Sequence, residues 1–425
     1  MPVSLGDSLF GCSTDKNSTP DAEESGVTPR LHGTGRFFAT MGGVMNANRS
    51  ALGFLAASVL AFSIPASIAG GHTGIQTREP RVQIALLLDT SNSMDGLIDQ
   101  ARSRLWQIVN ELGGSRCHGL RPRLEVALYE YGNNSLSRET CYIREVCLFT
   151  DDLDLISQNL FSLRTNGGDE YCGAVIDRSL RNLEWDTHPD NLRMIFIAGN
   201  EPFTQGPVDF RPVVQRAAAR GISVNTIFCG PDHEGVTTHW QSGAVLAGGT
   251  YASINQDKHI PHIDAPQDRE LALLNEKLNG TYLAFGAAGR QRAEMQRAQD
   301  SNAAAAAPSA MAGRIAAKAS SLYRNSGWDL VDATREGSVD AAELERDELP
   351  EALRDLPAEE RKEKIEKAAR EREELQERIQ KLSRERQRHV AAELKKLSSD
   401  GGSALDEAIL KSVRKQAEKK NYVFE

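Results

Sequence analysis

The sequence predicts an α/β fold, with a central, mainly parallel sheet covered by helices on both faces, followed by an all-α region. Three observations carry this expectation. Short aliphatic runs recur through the middle of the chain, as strands buried on both faces do. Helical patterns alternate with them, which favours parallel pairing through helical crossovers. Beyond about residue 264, strand-like runs nearly stop and helix formers dominate. The chain has 425 residues, more than one domain's worth. Charged residues make up 26% and the formal net charge is −9, which argues against a dedicated nucleic-acid binder.

The elements can be justified in order. Residues 1–40 are polar, rich in Gly, Ser and Thr, and aperiodic, and read as a disordered or mis-assigned leader. Residues 41–69 read as a secretory signal peptide whose true start is Met41 or Met45. Arg49 supplies the positive charge, residues 51–64 the apolar core, Pro65 the breaker, and Ser67 and Ala69 the small residues before a cut after Ala69. The core falls short of the roughly 20 residues that span a bilayer. Retention as an uncleaved anchor is the competing outcome. The mature protein is therefore expected outside the cytoplasm, periplasmic or extracellular, with no stable membrane span after cleavage.

A first domain is expected over residues 81–257. Residues 82–88, "VQIALLL", form its first buried strand, and the helical spacing of Leu97, Ile98, Ala101, Leu105, Ile108 and Val109 follows at once. "RLEVALYEYG" is a second strand, "LRMIFIAGNEPF" a third that ends in a polar turn, and "GISVNTIFCG" a fourth. Helices are expected near residues 171–183 and 213–220, and a short last strand after "HWQSGAVLAGG". Residues 265–350 read as a helical linker region interrupted at Gly280 and Pro308. Residues 357–398 are charged and continuous, a long helix. Ile365, Ala368, Leu375, Ile379 and Leu382 fit a coiled-coil seam in it, with Arg372 as a charged intrusion and Arg386 where the seam fails. Residues 399–425 hold a C-terminal amphipathic helix. The long helix reads as a helical hairpin or weak coiled coil, with a solvated helix packed on its neighbours as the alternative to self-association. The tail is expected to extend from the domain and to oligomerise or dock on a partner.

Five cysteines follow the signal segment. In an exported protein some of these should pair. The sequence leaves the connectivity open and, five being odd, one thiol stays free or pairs between chains. The candidates are Cys172 with Cys229, bracing the rim of the sheet, and Cys141 with Cys147. The sequence holds no nucleophile elbow, phosphate loop or His–Glu metalloprotease motif, so the protein is expected not to be an enzyme.

The residues that suggest chemistry are Asp89, Ser91 and Ser93, alternating at the carboxyl end of the first strand, where open α/β sheets bind ligands. With the apolar strand before, the amphipathic helix after, and a Gly-Gly loop at residues 167–168, this D-x-S-x-S pattern resembles the metal-ion-dependent adhesion motif of von Willebrand factor A (VWA) domains. The resemblance implies a Rossmann-like domain holding a divalent cation, Mg²⁺ or Ca²⁺ with Mn²⁺ as a further candidate, in a shell of hard oxygens. It also implies a protein partner whose acidic residue completes that shell.

The sequence departs from the family pattern twice. Asp169, followed by Glu170, stands where the family has a threonine after Gly-Gly, and Gly199 stands where the family has an aspartate, followed by Asn200 and Glu201. A compensating swap is expected, in which Asp169 or Glu170 supplies the second charge, with Asn200 and Glu201 on the ligand rim. The expected function is cation-dependent protein adhesion or envelope assembly. The alternatives are an accessory subunit of an AAA+ machine and a structural scaffold with a decayed metal site. The tail also resembles the C-terminal region of exported bacterial proteins that bear one such domain, which implies architecture but no activity.

Overall fold

The computed structural model describes residues 78–254, 263–397 and 404–424. The expected leader and signal segment lie outside the described residues. The first domain is built from β1 (Arg81–Asp89), α1 (Asp95–Gly113), β2 (Ser115–Cys117), β3 (Arg123–Tyr131), β4 (Ile143–Thr150), α2 (Leu153–Ser162), α3 (Cys172–Asn182), β5 (Leu192–Gly199), α4 (Phe210–Ala219), β6 (Ser223–Cys229), α5 (Asp232–Thr237), α6 (Trp240–Leu246) and β7 (Tyr251–Ile254). The remainder comprises α7 (Asp268–Gly280), α8 (Gly286–Ala306), α9 (Pro308–Lys318), α10 (Leu330–Arg335), α11 (Ala358–Leu397), α12 (Ala404–Glu418) and β8 (Tyr422–Phe424).

Six strands form one sheet in the order β4-β3-β1-β5-β6-β7. Pairing is parallel except at the edge, where β4 runs antiparallel to β3. The chain leaves β1 for β3 on one side and later returns to β5 on the other. The carboxyl end of β1 therefore opens onto a crevice at a switch point of the topology. β1 is aliphatic because both its faces are covered. Leu86 and Leu88 meet α1 and α2 on one face, while Ala85 and Leu87 meet α3, α4 and Trp240 on the other.

The helical region folds back on the domain, which corrects the expectation of an extended tail. α9 lies on α1, where Asn110 donates to the Gly313 carbonyl at 2.9 Å. In α12, Ser412 and Gln416 donate to Asn225 Oδ1 at 2.9 and 2.6 Å. Beyond it β8 pairs antiparallel with β2. The expected seam of α11 is real but is used inside the molecule. Ile379 and Leu382 pack with Leu271, Leu278 and Ile315, while Ile365 packs with Leu330, Leu349 and Leu353. Arg372 is an anchor in that seam. Only 3% exposed, it donates to Asp329 at 2.6 Å and Asp332 at 2.8 Å and lies over the Tyr282 ring. Arg386 likewise donates to Asp268 at 2.5 Å.

The expected disulfides are also corrected. Cys117, Cys141, Cys147, Cys172 and Cys229 are all free thiols. The sheet itself separates each expected pair. Cys172 belongs to the core on the α3 face and Cys229 to the core on the α1 face, and Cys141 and Cys147 divide in the same way. Among the described residues, no helix is long and apolar enough to cross a membrane.

Candidate metal-binding site

Three loops meet above the carboxyl end of β1. The first leaves β1 at its last residue, Asp89, and carries Ser91 and Ser93. The second follows β3, where Thr90 N donates to the Tyr131 carbonyl at 2.9 Å. The third contains Gly167 and Gly168 and is laced to both others. Asn166 N donates to the Thr90 carbonyl at 2.9 Å, Gly167 N to Asn92 Oδ1 at 2.7 Å, and Asn134 N to the Gly167 carbonyl at 2.8 Å. The Gly-Gly pair is required by this close approach, since a Cβ on Gly168 would lie 2.6 Å from the Gly132 carbonyl oxygen.

The lacing carries Glu170, not Asp169, to Asp89. A Cβ on Gly132 would lie 2.7 Å from both Asp89 Oδ1 and Glu170 Cγ, so the two acids flank that glycine. Asp89 is 0% exposed and Glu170 4%. Asp169 is exposed and accepts from the Tyr171 hydroxyl at 3.0 Å. Glu170 is held from behind, its backbone N–H donating to Gln205 Oε1 at 2.8 Å. Burial first, then contact with Glu170, pushes the Asp89 carboxyl well above the usual carboxylate range. Burial also raises Glu170, against the lowering effect of its contacts with Asp89 and Ser91. Two carboxyls in one dry pocket resist ionising together unless a cation joins them.

The hydroxyls complete the cluster. Ser91 N donates to Asp89 Oδ1 at 2.7 Å, the Ser91 and Ser93 hydroxyls lie 3.3 Å apart, and Asn200 Nδ2 donates to Ser93 Oγ at 3.0 Å. Three buried oxygens here accept no hydrogen bond, namely Asp89 Oδ2, Glu170 Oε2 and Asn200 Oδ1. Buried acceptors are rarely left in that state, and a hard cation is a natural complement to orphan oxygens. The residues present therefore fit a divalent ion. Glu201 is half-buried on the rim, its carbonyl accepting from Trp240 Nε1 at 2.8 Å. Among the described residues no cluster of three or more His, Cys, Asp or Glu side chains could hold a metal. The candidate site draws on two carboxylates with hydroxyl and amide oxygens.

Tyr131 was missed in the sequence. Its hydroxyl donates to the Ala198 carbonyl at 2.9 Å and fills the space beside Gly199. A Cβ on residue 199 would come within 2.6 Å of that hydroxyl and 3.1 Å of Asp89 Oδ2. No aspartate fits there while Tyr131 is in place. A signal was available in the "YEYGNN" turn that ends the second strand, whose Gly132 and Asn133 shape the same rim.

Residues 83–239 match the von Willebrand factor type A domain family. The chain is similar in structure to the conserved protein BatB from Bacteroides thetaiotaomicron (17% identity, 41% of this chain and 90% of that chain, TM-score 0.31). It is also similar to the pilus adhesin SpaC from Lactobacillus rhamnosus GG (16% identity, 43% of this chain and 29% of that chain, TM-score 0.33). A third similar structure is proximal thread matrix protein 1 from the mussel byssus with a zinc-occupied MIDAS motif (9% identity, 42% of this chain and 43% of that chain, TM-score 0.31). A search of curated proteins found no match.

Proposed function

Starting from residues 83–239 as a von Willebrand factor type A domain, we propose that this is a non-enzymatic binding protein that grips one divalent cation at the end of β1. Asp89, Ser91, Ser93 and Glu170 would hold the ion, with Asn200 Oδ1 beside it, and the ion would hold a carboxylate of a protein partner. The observation that carries this reading is the set of three buried, unpaired oxygens on Asp89, Glu170 and Asn200, on the same rim as the two hydrogen-bonded serine hydroxyls. The donors are hard oxygens, which suits Mg²⁺, Ca²⁺ or Mn²⁺. Two carboxylates balance the ion's charge, so an incoming partner carboxylate would bind a nearly neutral centre, and neighbouring contacts on the rim would supply much of the affinity. Placement outside the cytoplasm rests on residues 41–69 alone, and a mature N-terminus at Gly70 would support it.

The test is calorimetric titration of the full chain with each ion. Saturable binding is expected for the wild type and for Asp169→Asn, and is lost in Asp89→Asn and Glu170→Gln. Folded protein that binds none of the three ions would refute the reading and leave the domain as a scaffold. Loss of binding in Asp169→Asn, with Glu170→Gln unaffected, would reassign the second carboxylate.

A further inference from the structure

The charges at the two ends of the longest helix differ in sign, with an alternating stretch between them: residues 361–370 carry five lysines and arginines against two glutamates, and residues 371–377 four glutamates against Arg372. α11 has 40 residues, about 60 Å of rise. Its first turns are wrapped by the segment before it, which Leu349 and Leu353 pin against Ile365. Residues 335–360 carry ten carboxylates against three guanidinium groups. Glu343, Glu345, Asp347, Glu351, Glu359 and Glu360 among them are exposed. Residues 378–396, at the other end, carry seven lysines and arginines against two glutamates. Three of those cations are engaged within the molecule, Arg378 by Glu270, Arg386 by Asp268 and Lys396 by Glu393. Lys381, Arg384, Arg388 and Lys395 are exposed. Their spacing of three, four and seven residues sets them on one stripe of the helix.

Favourable alignment with the helix dipole does not account for this difference between the ends. That effect fades within the last turn, which holds Lys395 but none of the other three stripe residues. Many of the acids precede the helix altogether. Nor can the two surfaces neutralise each other within one molecule. Ile365 and Lys395 are 30 residues apart on one helix, about 45 Å, against a screening length of about 10 Å at 0.1 M salt. The apolar seam of α11 is already consumed inside the fold, so a coiled coil with another chain is closed to it.

We propose that the chain associates head to tail with a second copy of itself, the basic stripe of one α11 lying against the acidic collar around the start of the other. The two surfaces carry complementary charge on the same sequence, which is what selects a second copy as the occupant. The contact joins two different surfaces, so it is heterologous and builds chains or rings instead of closing at a dimer.

The test uses the full chain in sedimentation velocity at 50 mM and 500 mM NaCl. Weight-average mass is expected to exceed the 46.5 kDa of one chain at low salt. Association should weaken at least about tenfold at high salt, as screened surface charges require. One variant carries Lys381→Glu, Arg384→Glu, Arg388→Glu and Lys395→Glu. A second carries Glu343→Lys, Glu345→Lys, Asp347→Lys and Glu351→Lys. Each alone should be monomeric with unchanged circular dichroism, and an equimolar mixture should associate again. Reversal of Lys411 and Lys415, exposed on α12, and of Lys419, exposed just beyond it, should leave association intact. A wild type monomeric at low salt, a mixture that stays monomeric, or loss of association in the α12 variant would each overturn the proposal.

Discussion

Arg314→Met tests what fastens the helical region to the sheet domain. Arg314 is 0% exposed. It donates to Asp300 Oδ1 at 2.6 Å, to Asp154 Oδ1 at 2.7 Å and to the Gln296 carbonyl at 2.9 Å, and its guanidinium lies 5.0 Å from the Trp106 ring centroid. Asp154 belongs to the sheet domain, on α2, and Asp300 to the helical region, on α8. Lys318, one turn further along α9, donates to Asp300 at 2.9 Å. The four charges cancel. Removing Arg314 leaves Asp300 paired with Lys318, while Asp154 loses its guanidinium partner and keeps the Tyr323 hydroxyl at 2.6 Å. Breaking one side of a buried pair in this way costs about 3–5 kcal/mol, because a charge stays behind in a dry site. Adding Asp154→Asn removes that charge, so the double variant should be less destabilised than the sum of the singles. Urea unfolding, followed by far-ultraviolet circular dichroism and by tryptophan fluorescence, measures both, and coincident curves license the two-state treatment. A single-variant loss below about 1 kcal/mol, or strict additivity in the double, would refute the reasoning.

Three further predictions follow from named contacts. Burial alone would raise the Asp300 carboxyl, but Lys318 and Arg314 hold it below the usual carboxylate range. A lowered acid contributes stability above its unfolded pKa and loses it as pH falls through the folded value. The stability gap between wild type and Asp300→Asn should therefore be full at neutral pH and shrink below about pH 4; a gap constant down to pH 2 would contradict this. Gly199→Ala places a methyl group against the Tyr131 hydroxyl and Asp89 Oδ2. It should cost about 1–3 kcal/mol of stability by overpacking and weaken the proposed cation site, with part of both recovered by adding Tyr131→Phe. Unchanged melting and titration curves would remove the steric account of that glycine. Finally, Cys172 and Cys229 should resist a thiol reagent in the folded fragment Gly74–Glu425, and all five thiols of that fragment should react after unfolding without reductant. A shortfall would reveal a disulfide.

Much of the domain was legible because its signals are local. An aliphatic strand, an oxygen-rich turn and an amphipathic helix lie within 30 residues of each other, and so the place of Asp89, Ser91 and Ser93 could be read directly. What escaped depends on distant partners. β4 is an edge strand with an irregular register and mixed burial, so no period marks it. β2 and β8 are three residues each and find one another across almost the whole domain and helical region. Arg372 and Arg386 looked like faults in a seam because their carboxylates come from Asp329 and Asp268, 43 and 118 residues away. The same distance hid the fate of the tail, whose apolar and amide groups fit surfaces of α1, β6 and β7 that become visible only once the sheet is formed.

The exchange at the rim shows the limit in its sharpest form. Asp169 and Glu170 are adjacent acids, and sequence alone ranks neither above the other. Their fates diverge because the Gly-Gly turn, pressed against Gly132, turns one residue outward to Tyr171 and the next inward to Asp89. The glycine that replaces the expected aspartate belongs to the same geometry. Asp89 presents Oδ1 toward Gly132 and Glu170, and Oδ2 toward Gly199 and the Tyr131 hydroxyl. Under the proposed reading, the carboxylate missing at the end of β5 and the one gained after Gly168 are two sides of one Asp89 environment. Restoring an aspartate at residue 199 would then add a third acid to a pocket already closed by Tyr131, and the protein would be expected to lose cation affinity, not gain it.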